Sequence, residues 1–195
     1  MYRQNVFSIK LTKMTFLLAA GGILAGIVIL LLAAALFIPR HYSVSVSVLI
    51  NRPQQVVYDF VKILQNQPRF SEWLKADPQL KPAIVGTDGA VGAVQKWESS
   101  NKDVGAGEQE IKVMTENFIE VELRLIKPMA ATCRITNDFT ANGHQQTRYT
   151  CTFYAYAKYP INLPSFLVGR RFIIKAQQRS LNNLKGILEA VAYQA

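Results

Sequence analysis

"FIEVELRLI", residues 118–126, alternates without a break: Ile119, Val121, Leu123 and Leu125 fall on one side, Glu120, Glu122 and Arg124 on the other. A helix would scatter those apolar residues around its surface, whereas a strand puts every second residue on one face. The segment reads as a strand with one wet face, which points to an antiparallel sheet covered on one side only. Working outward, Glu116-Asn117 turns the chain back to the strand before it. Downstream, Ala141-Asn142-Gly143-His144 separates strands expected at about 131–139 and 147–156, the signature of a further hairpin.

The same alternation opens the domain in "SVSVSVLI" (43–50), where Val44, Val46, Val48 and Ile50 share a face. "NRPQQVVYDFVKIL" then places Pro53 in a first helical turn, with Val56, Val57, Phe60, Val61 and Leu64 at helical spacing. "RFSEWLK" (69–75) supplies a second short helix. Beyond the meander the period becomes helical again over 170–193, where Ile173, Ala176, Leu181, Leu184, Leu188 and Val191 form one stripe. An apolar sheet face and an apolar helix stripe must cover each other. The expectation is therefore an α+β fold, a curved antiparallel sheet wrapped around a long C-terminal helix.

From Met14 to Ile38 no side chain is charged. At about 1.5 Å per residue this run reaches roughly 37 Å, enough to cross a hydrocarbon core of about 30 Å. The expected organisation is a short basic segment (1–13), a transmembrane helix (14–38) and a ligand-binding domain (42–195). A cleaved secretory signal, cut near Ala33, Ala34 and Ala35, is the alternative, but such signals have apolar cores of about 7–15 residues. Arg3, Lys10 and Lys13 precede the run and Arg40 and Arg52 follow it, which favours a cytoplasmic N-terminus and a domain outside the cytoplasm, in the periplasm of a Gram-negative cell. Gly22 and Gly26 have GxxxG spacing, too common in membrane helices to assign an oligomer.

The net charge of +9 divides unevenly, because residues 1–41 hold four of the 22 cations and none of the 13 acids. The remaining 18 cations face 13 acids, a net +5 without the dense basic patch and stacking aromatics of a nucleic-acid binder. Residues 140–195 carry seven cations against Glu189 alone, either a solvated helix face or a surface toward anionic lipid.

The order of strand, short helices, antiparallel meander and long terminal helix resembles the START-type helix-grip superfamily, SRPBCC, and particularly its polyketide cyclase/dehydrase and lipid-transport branch. "INRPQQVVYDFV" resembles the family's opening strand and helix start, "FSEWLKADP" its aromatic-Trp segment, "GAVGAVQKW" and "VGAGEQEI" its glycine turns, and "LNNLKGILE" its closing helix. The resemblance implies a cavity between sheet and helix that holds a hydrophobic small molecule or lipid.

Alternation assigns Ala93, Gln95, Trp97, Gln109, Ile111 and Val113 to the inner face, followed by Ile119 through Leu125. Cys133, Ile135, Asn137, Phe139, Tyr149, Cys151, Phe153 and Ala155 complete it. No Asp, Glu, His or Lys is among them, which argues for binding over acid–base turnover. Gln95, Gln109, Asn137 and Tyr149 either orient a ligand's polar head or bond to buried water and backbone, since an unpartnered amide on an apolar face costs a few kcal/mol. Trp73, Trp97, Leu123, Phe153 and Leu184 are candidate cavity walls or plain core. Phe166, with Leu167 and Val168, is a candidate gate in the loop 159–168.

His41 and His144 stand apart from the cysteines in the pattern, so no metal site is expected, and no cofactor is implied. A hairpin centred on Asn142 would set Cys133 opposite Cys151, leaving a disulfide and two buried thiols both open. Gly86, Gly89, Gly92, Gly105 and Gly107 match no phosphate-loop spacing and read as turns and strand bends. The first functional reading is a membrane-anchored carrier of a hydrophobic ligand. Its alternatives are a cyclase/dehydrase-like enzyme, using Tyr149 and the inner amides to polarise a carbonyl, and an envelope interaction module with a vestigial cavity.

Overall fold

The computed structural model describes residues 2–190, with side chains from residue 14 onward. Val191, the last residue of the expected helical stripe, lies outside the described residues. The chain divides into two compact units, one holding the first helix through Arg40 together with Ala157–Leu167, the other holding His41–Tyr156 and the chain from Val168 onward.

In the first unit, α1 (Tyr2–Phe37) contains the apolar stretch Met14–Phe37, long and apolar enough to cross a membrane. It stops where Pro39, which lacks an N–H and disfavours helix in the residue before it, leaves no way to continue.

The second unit is built on one antiparallel sheet in the order β1-β7-β6-β5-β4-β3-β2. β1 is His41–Ile50, β2 Ala83–Val85, β3 Val94–Glu98, β4 Ala106–Thr115, β5 Phe118–Lys127, β6 Ala131–Ala141 and β7 Thr147–Tyr156. Strands 2 to 7 follow one another by hairpins, and β1 leaves sequence order to pair with β7 at the far edge. Its inner valines meet Phe153 and Cys151, while outside Ser45 and Ser47 share hydroxyl bonds of 2.8 Å with Thr152 and Thr150, cross-strand pairs that fix the register.

The turn at Glu116-Asn117 is as expected, since Thr115 pairs with Phe118. Two inner-face expectations fail. A register shift between Ile111 and Val113 pairs Val113 with the outward Glu120 and Met114 with the inward Ile119, so Val113 is exposed and Met114 joins the core. A bulge of this kind inserts one residue and reverses parity beyond it, and it bends the strand. The hairpin after β6 is centred near His144, with Ala141 opposite Thr147 and Asn137 opposite Cys151. Cys133 instead pairs with Leu123 on β5, and both cysteines are free and buried. A disulfide is excluded by register: four residues of strand, about 13 Å, separate the two positions along the ladder.

The helices cover the concave face. α2 (Gln54–Lys62) begins after Pro53, whose carbonyl receives the Val56 and Val57 N–H groups, and buries Val57, Tyr58 and Val61 while Val56 stays exposed. The second short helix is two single turns, α3 (Gln67–Phe70) and α4 (Glu72–Lys75), broken at Ser71 by an extended backbone. Apart from these, α5 is a single turn of the first unit, Asn162–Pro164, and the π-helical turn after it, Ser165–Gly169, carries the chain from the first unit into the second. The long terminal helix α6 (Arg170–Ala190) buries Ala176, Leu181, Leu184 and Leu188, and packs chiefly on β1. Burial of a leucine of this kind is worth about 1.5–3 kcal/mol. Ser180 Oγ accepts the Glu72 N–H at 2.9 Å, and Asn183 Nδ2 donates to the Phe70 carbonyl at 3.1 Å, which fixes α3 and α4 to α6.

Candidate functional site

The concave face differs at its two ends. Toward the turn between β6 and β7 it is closed. Val46, Ile119, Phe139, Tyr149, Cys151, Leu181 and Leu184 are all buried there. Phe139 stacks on Tyr149 at 5.0 Å, and Tyr58 of α2 meets Phe139 edge-on at 5.3 Å. Each polar group in this region is used internally. Tyr149 Oη donates to Asn137 Oδ1 at 2.7 Å, Asn137 Nδ2 donates to the Ile119 carbonyl at 3.3 Å, and Gln177 Nε2 donates to Cys151 Sγ at 2.9 Å. Burial, helped by the neighbouring Cys151, pushes the Tyr149 phenol well above its usual range. Burial also outweighs the bond from Gln177 and raises the Cys151 thiol to about 12. The hydroxyl that a cyclase would aim at a substrate carbonyl is thus committed to Asn137.

A second polar rib closes the flank formed by β3 and β4. Gln109 Nε2 donates to Gln67 Oε1 at 2.5 Å and to Gln95 Oε1 at 2.7 Å, and Gln95 Nε2 donates to the Leu64 carbonyl at 2.6 Å. Gln95 and Gln109 therefore stitch the sheet to the helical segment 64–70, Gln95 through the Leu64 backbone carbonyl and Gln109 through the side-chain amides of Gln67 and Gln95. Gln67 was not singled out, although the amide-rich "QNQP" (65–68) on the first short turn was the available signal.

The other end is open. Tyr42, Leu123, Leu125, Ile135, Phe153 and Ala155 alternate onto the inner side of β1, β5, β6 and β7, yet all remain half-buried. Trp97 lies beside them, its ring over Gly107, where an added Cβ would come within 2.7 Å of the indole Cζ2 and 2.9 Å of the Arg124 carbonyl. Its buried Nε1–H has no partner. A shallow depression of about 280 Å³ lies at the β1–β7 edge, lined from the outer face by His41, Ser43 and Tyr154 together with Tyr42 and Ala155.

Of the residues singled out from sequence, Trp97, Leu123 and Phe153 stand half-buried on the inner side of three separate strands, β3, β5 and β7, whereas Asn137, Tyr149 and Leu184 belong to the closed core. Trp73 is half-buried on α4, edge-on to Phe172 at 5.4 Å. Phe166 is half-buried in the π-helical turn and belongs to the other unit. Among the described residues no three His, Cys, Asp or Glu side chains group as metal ligands.

Behind the open end, on the convex face, Arg124 reaches Glu108 at 2.7 Å and Glu110 at 3.0 Å and also pairs with Glu122. Hydrogen bonds from Arg124 and Lys96 hold the Glu108 carboxyl below its usual range, and those from Lys112 and Arg124 do the same for Glu110.

An antiparallel sheet curved about a long C-terminal helix, with short helices after its first strand, defines the helix-grip class, and this chain has that fold. Its solved likenesses include norcoclaurine synthase from Thalictrum flavum, captured with dopamine and hydroxybenzaldehyde, at 9% identity and TM-score 0.58 over 77% of this chain and 87% of that one. The Zhui aromatase/cyclase from Streptomyces sp. R1128 matches at 11% identity and TM-score 0.58, over 76% of this chain and 94% of that one. Ara h 8.0201 matches at 11% identity and TM-score 0.55, over 77% and 99%. No family model matches the sequence. No curated protein matches it either.

Proposed function

We propose that this chain is a membrane-anchored protein that takes up a hydrophobic small molecule or lipid-like compound on the open half of its concave face. The observation that carries the reading is the set of half-buried apolar side chains, Leu123, Leu125 and Phe153, on the inner side of a sheet whose other half is packed shut. Apolar surface left in water costs about 25 cal/mol per Å² relative to burial, and a ligand laid on that set recovers it. The norcoclaurine synthase likeness supports the kind of ligand, since that protein was captured with aromatic compounds on the same fold. The apolar helix Met14–Phe37 serves as the anchor, with the positive N-terminal flank inside and the domain outside the cytoplasm.

Solvent extraction and mass spectrometry of the full chain, purified in mild detergent, test the ligand reading. Wild type is expected to release an apolar compound near one equivalent, and Leu123→Arg, which sets a charge among the apolar side chains, is expected to release little while melting at a similar temperature. Equal release from the two proteins overturns the reading, as does release no greater than from an unrelated single-span protein purified alike.

A further inference from the structure

The segment Ala157–Leu167 is fastened to the end of the apolar helix by bonds that few loops make. The Ala35 carbonyl faces position 39 for its helical donor, and Pro39 has none to give. Asn162, 1% exposed, fills the gap from far along the chain. Its Nδ2 donates one hydrogen to the Ala35 carbonyl at 2.7 Å and the other to the Ile38 carbonyl at 2.8 Å. Tyr159 Oη donates to the Leu32 carbonyl at 3.3 Å, and the Ala157 N–H donates to the Arg40 carbonyl at 2.9 Å. In hydrocarbon an unpaired carbonyl costs several kcal/mol, so these bonds hold the segment at the level where the apolar run ends.

At that level the segment presents Ile161 and Leu167, each 52% exposed, and Tyr159, 38% exposed, together with Lys158 and Arg40. The unit contains no acidic residue, and the sequence stays free of acids from Phe139 through Leu188. Large apolar side chains, an amphipathic tyrosine and unopposed cations are the composition of a membrane–water boundary.

We propose that Ala157–Leu167 is an interfacial foot: it lies in the headgroup layer of the leaflet where α1 emerges, with Ile161 and Leu167 turned into the acyl boundary and Lys158 and Arg40 on anionic phospholipid. Asn162 positions it by capping the helix. The proposal rests on the anchor part of the functional reading and is independent of the ligand.

The test uses the full chain in vesicles of phosphatidylcholine with phosphatidylglycerol, spin-labelled in turn at Ile161→Cys, Leu167→Cys and, as a water-exposed reference, Lys102→Cys. Labels at 161 and 167 are expected to show an oxygen-to-nickel-chelate accessibility ratio at least about fivefold above the reference, as for side chains about 5–10 Å inside the boundary. Hydrogen exchange of the unlabelled chain supplies a second measure, with the 157–167 peptide protected more in phosphatidylglycerol-containing vesicles than in pure phosphatidylcholine. Ratios equal to the reference, or protection indifferent to lipid charge, overturn the foot while leaving the anchor in place. Failure of the chain to float with vesicles after an alkaline carbonate wash overturns the anchor and the foot together.

Discussion

At one end of the concave face, Phe139, Tyr149 and Cys151 sit under α2 and α6, whose Leu184 joins them, with their polar atoms answered from within; at the other, Leu123, Leu125 and Phe153 line the sheet half in water. The strands are continuous across both ends, so local propensity does not make the difference. Helix placement does. α6 packs along β1 and α2 spans the strands near the turn between β6 and β7, which leaves the inner side of β5 and β6 uncovered at the far end. One half of the sheet is thus packed under the helices and the other is left half in water.

The largest effect expected from that division is on stability. Leu184→Ala, in the closed half, empties fully buried volume and is expected to cost about 2–5 kcal/mol. Leu123→Ala, in the open half, is expected to cost about 1 kcal/mol or less, because water already reaches the side chain. Equal costs, read from thermal or denaturant unfolding, would erase the comparison.

The glutamine rib comes next. Gln95→Leu leaves the Leu64 carbonyl and one bond of Gln109 unanswered, and is expected to cost about 1–3 kcal/mol. A neutral result would mean that the flank is wetter than its geometry.

The cysteines report the same division by chemistry. With its thiol near 12, Cys151 carries thiolate at pH 8 in only about one molecule in ten thousand, and it lies in the closed half. Cys133, raised by burial alone, borders the open half. Iodoacetamide applied without reductant is expected to modify Cys133 at least about tenfold faster, with both thiols titrating once the chain unfolds. Comparable native rates would show that the closed half opens.

The smallest effect concerns the convex face. Glu108 and Glu110 have depressed folded-state values, so their contribution is fully present above the unfolded carboxylate range near 4.5 and lost as pH falls through the lower folded values. Because these pairs are solvent-screened, the expected change is slight. Arg124→Gln should narrow the difference in melting temperature between pH 6 and pH 3, and an unchanged difference would remove the cluster from the account.

Much of this was readable from alternation. Ile119 through Leu125, the turn at Glu116-Asn117 and the stripe from Ile173 to Leu188 each declare their element because burial imposes a period. Alternation does not count inserted residues, so Val113 went to the wrong face beyond the bulge, and the Cys133–Cys151 pairing failed when the loop from Asn142 to Gln146 moved the hairpin centre. Nor does period say what covers a face. Leu184 and Leu123 are equally apolar and inward, yet where α6 meets the sheet buries the first fully and leaves the second half in water. Gln95 and Gln109 gained their meaning from Gln67, a contact between segments that no local pattern encodes.

The pairing of β1 with β7 also sets a schedule. Ser45 and Thr152 are 107 residues apart, and at about 5–20 residues per second of synthesis the first strand waits roughly 5–20 s for the strand it pairs with. Throughout that interval Val44, Val46, Val48 and Ile50 form an unpaired apolar ribbon. The last hairpin of the sheet is what retires it, so the sheet closes only after Thr147–Tyr156 has been made.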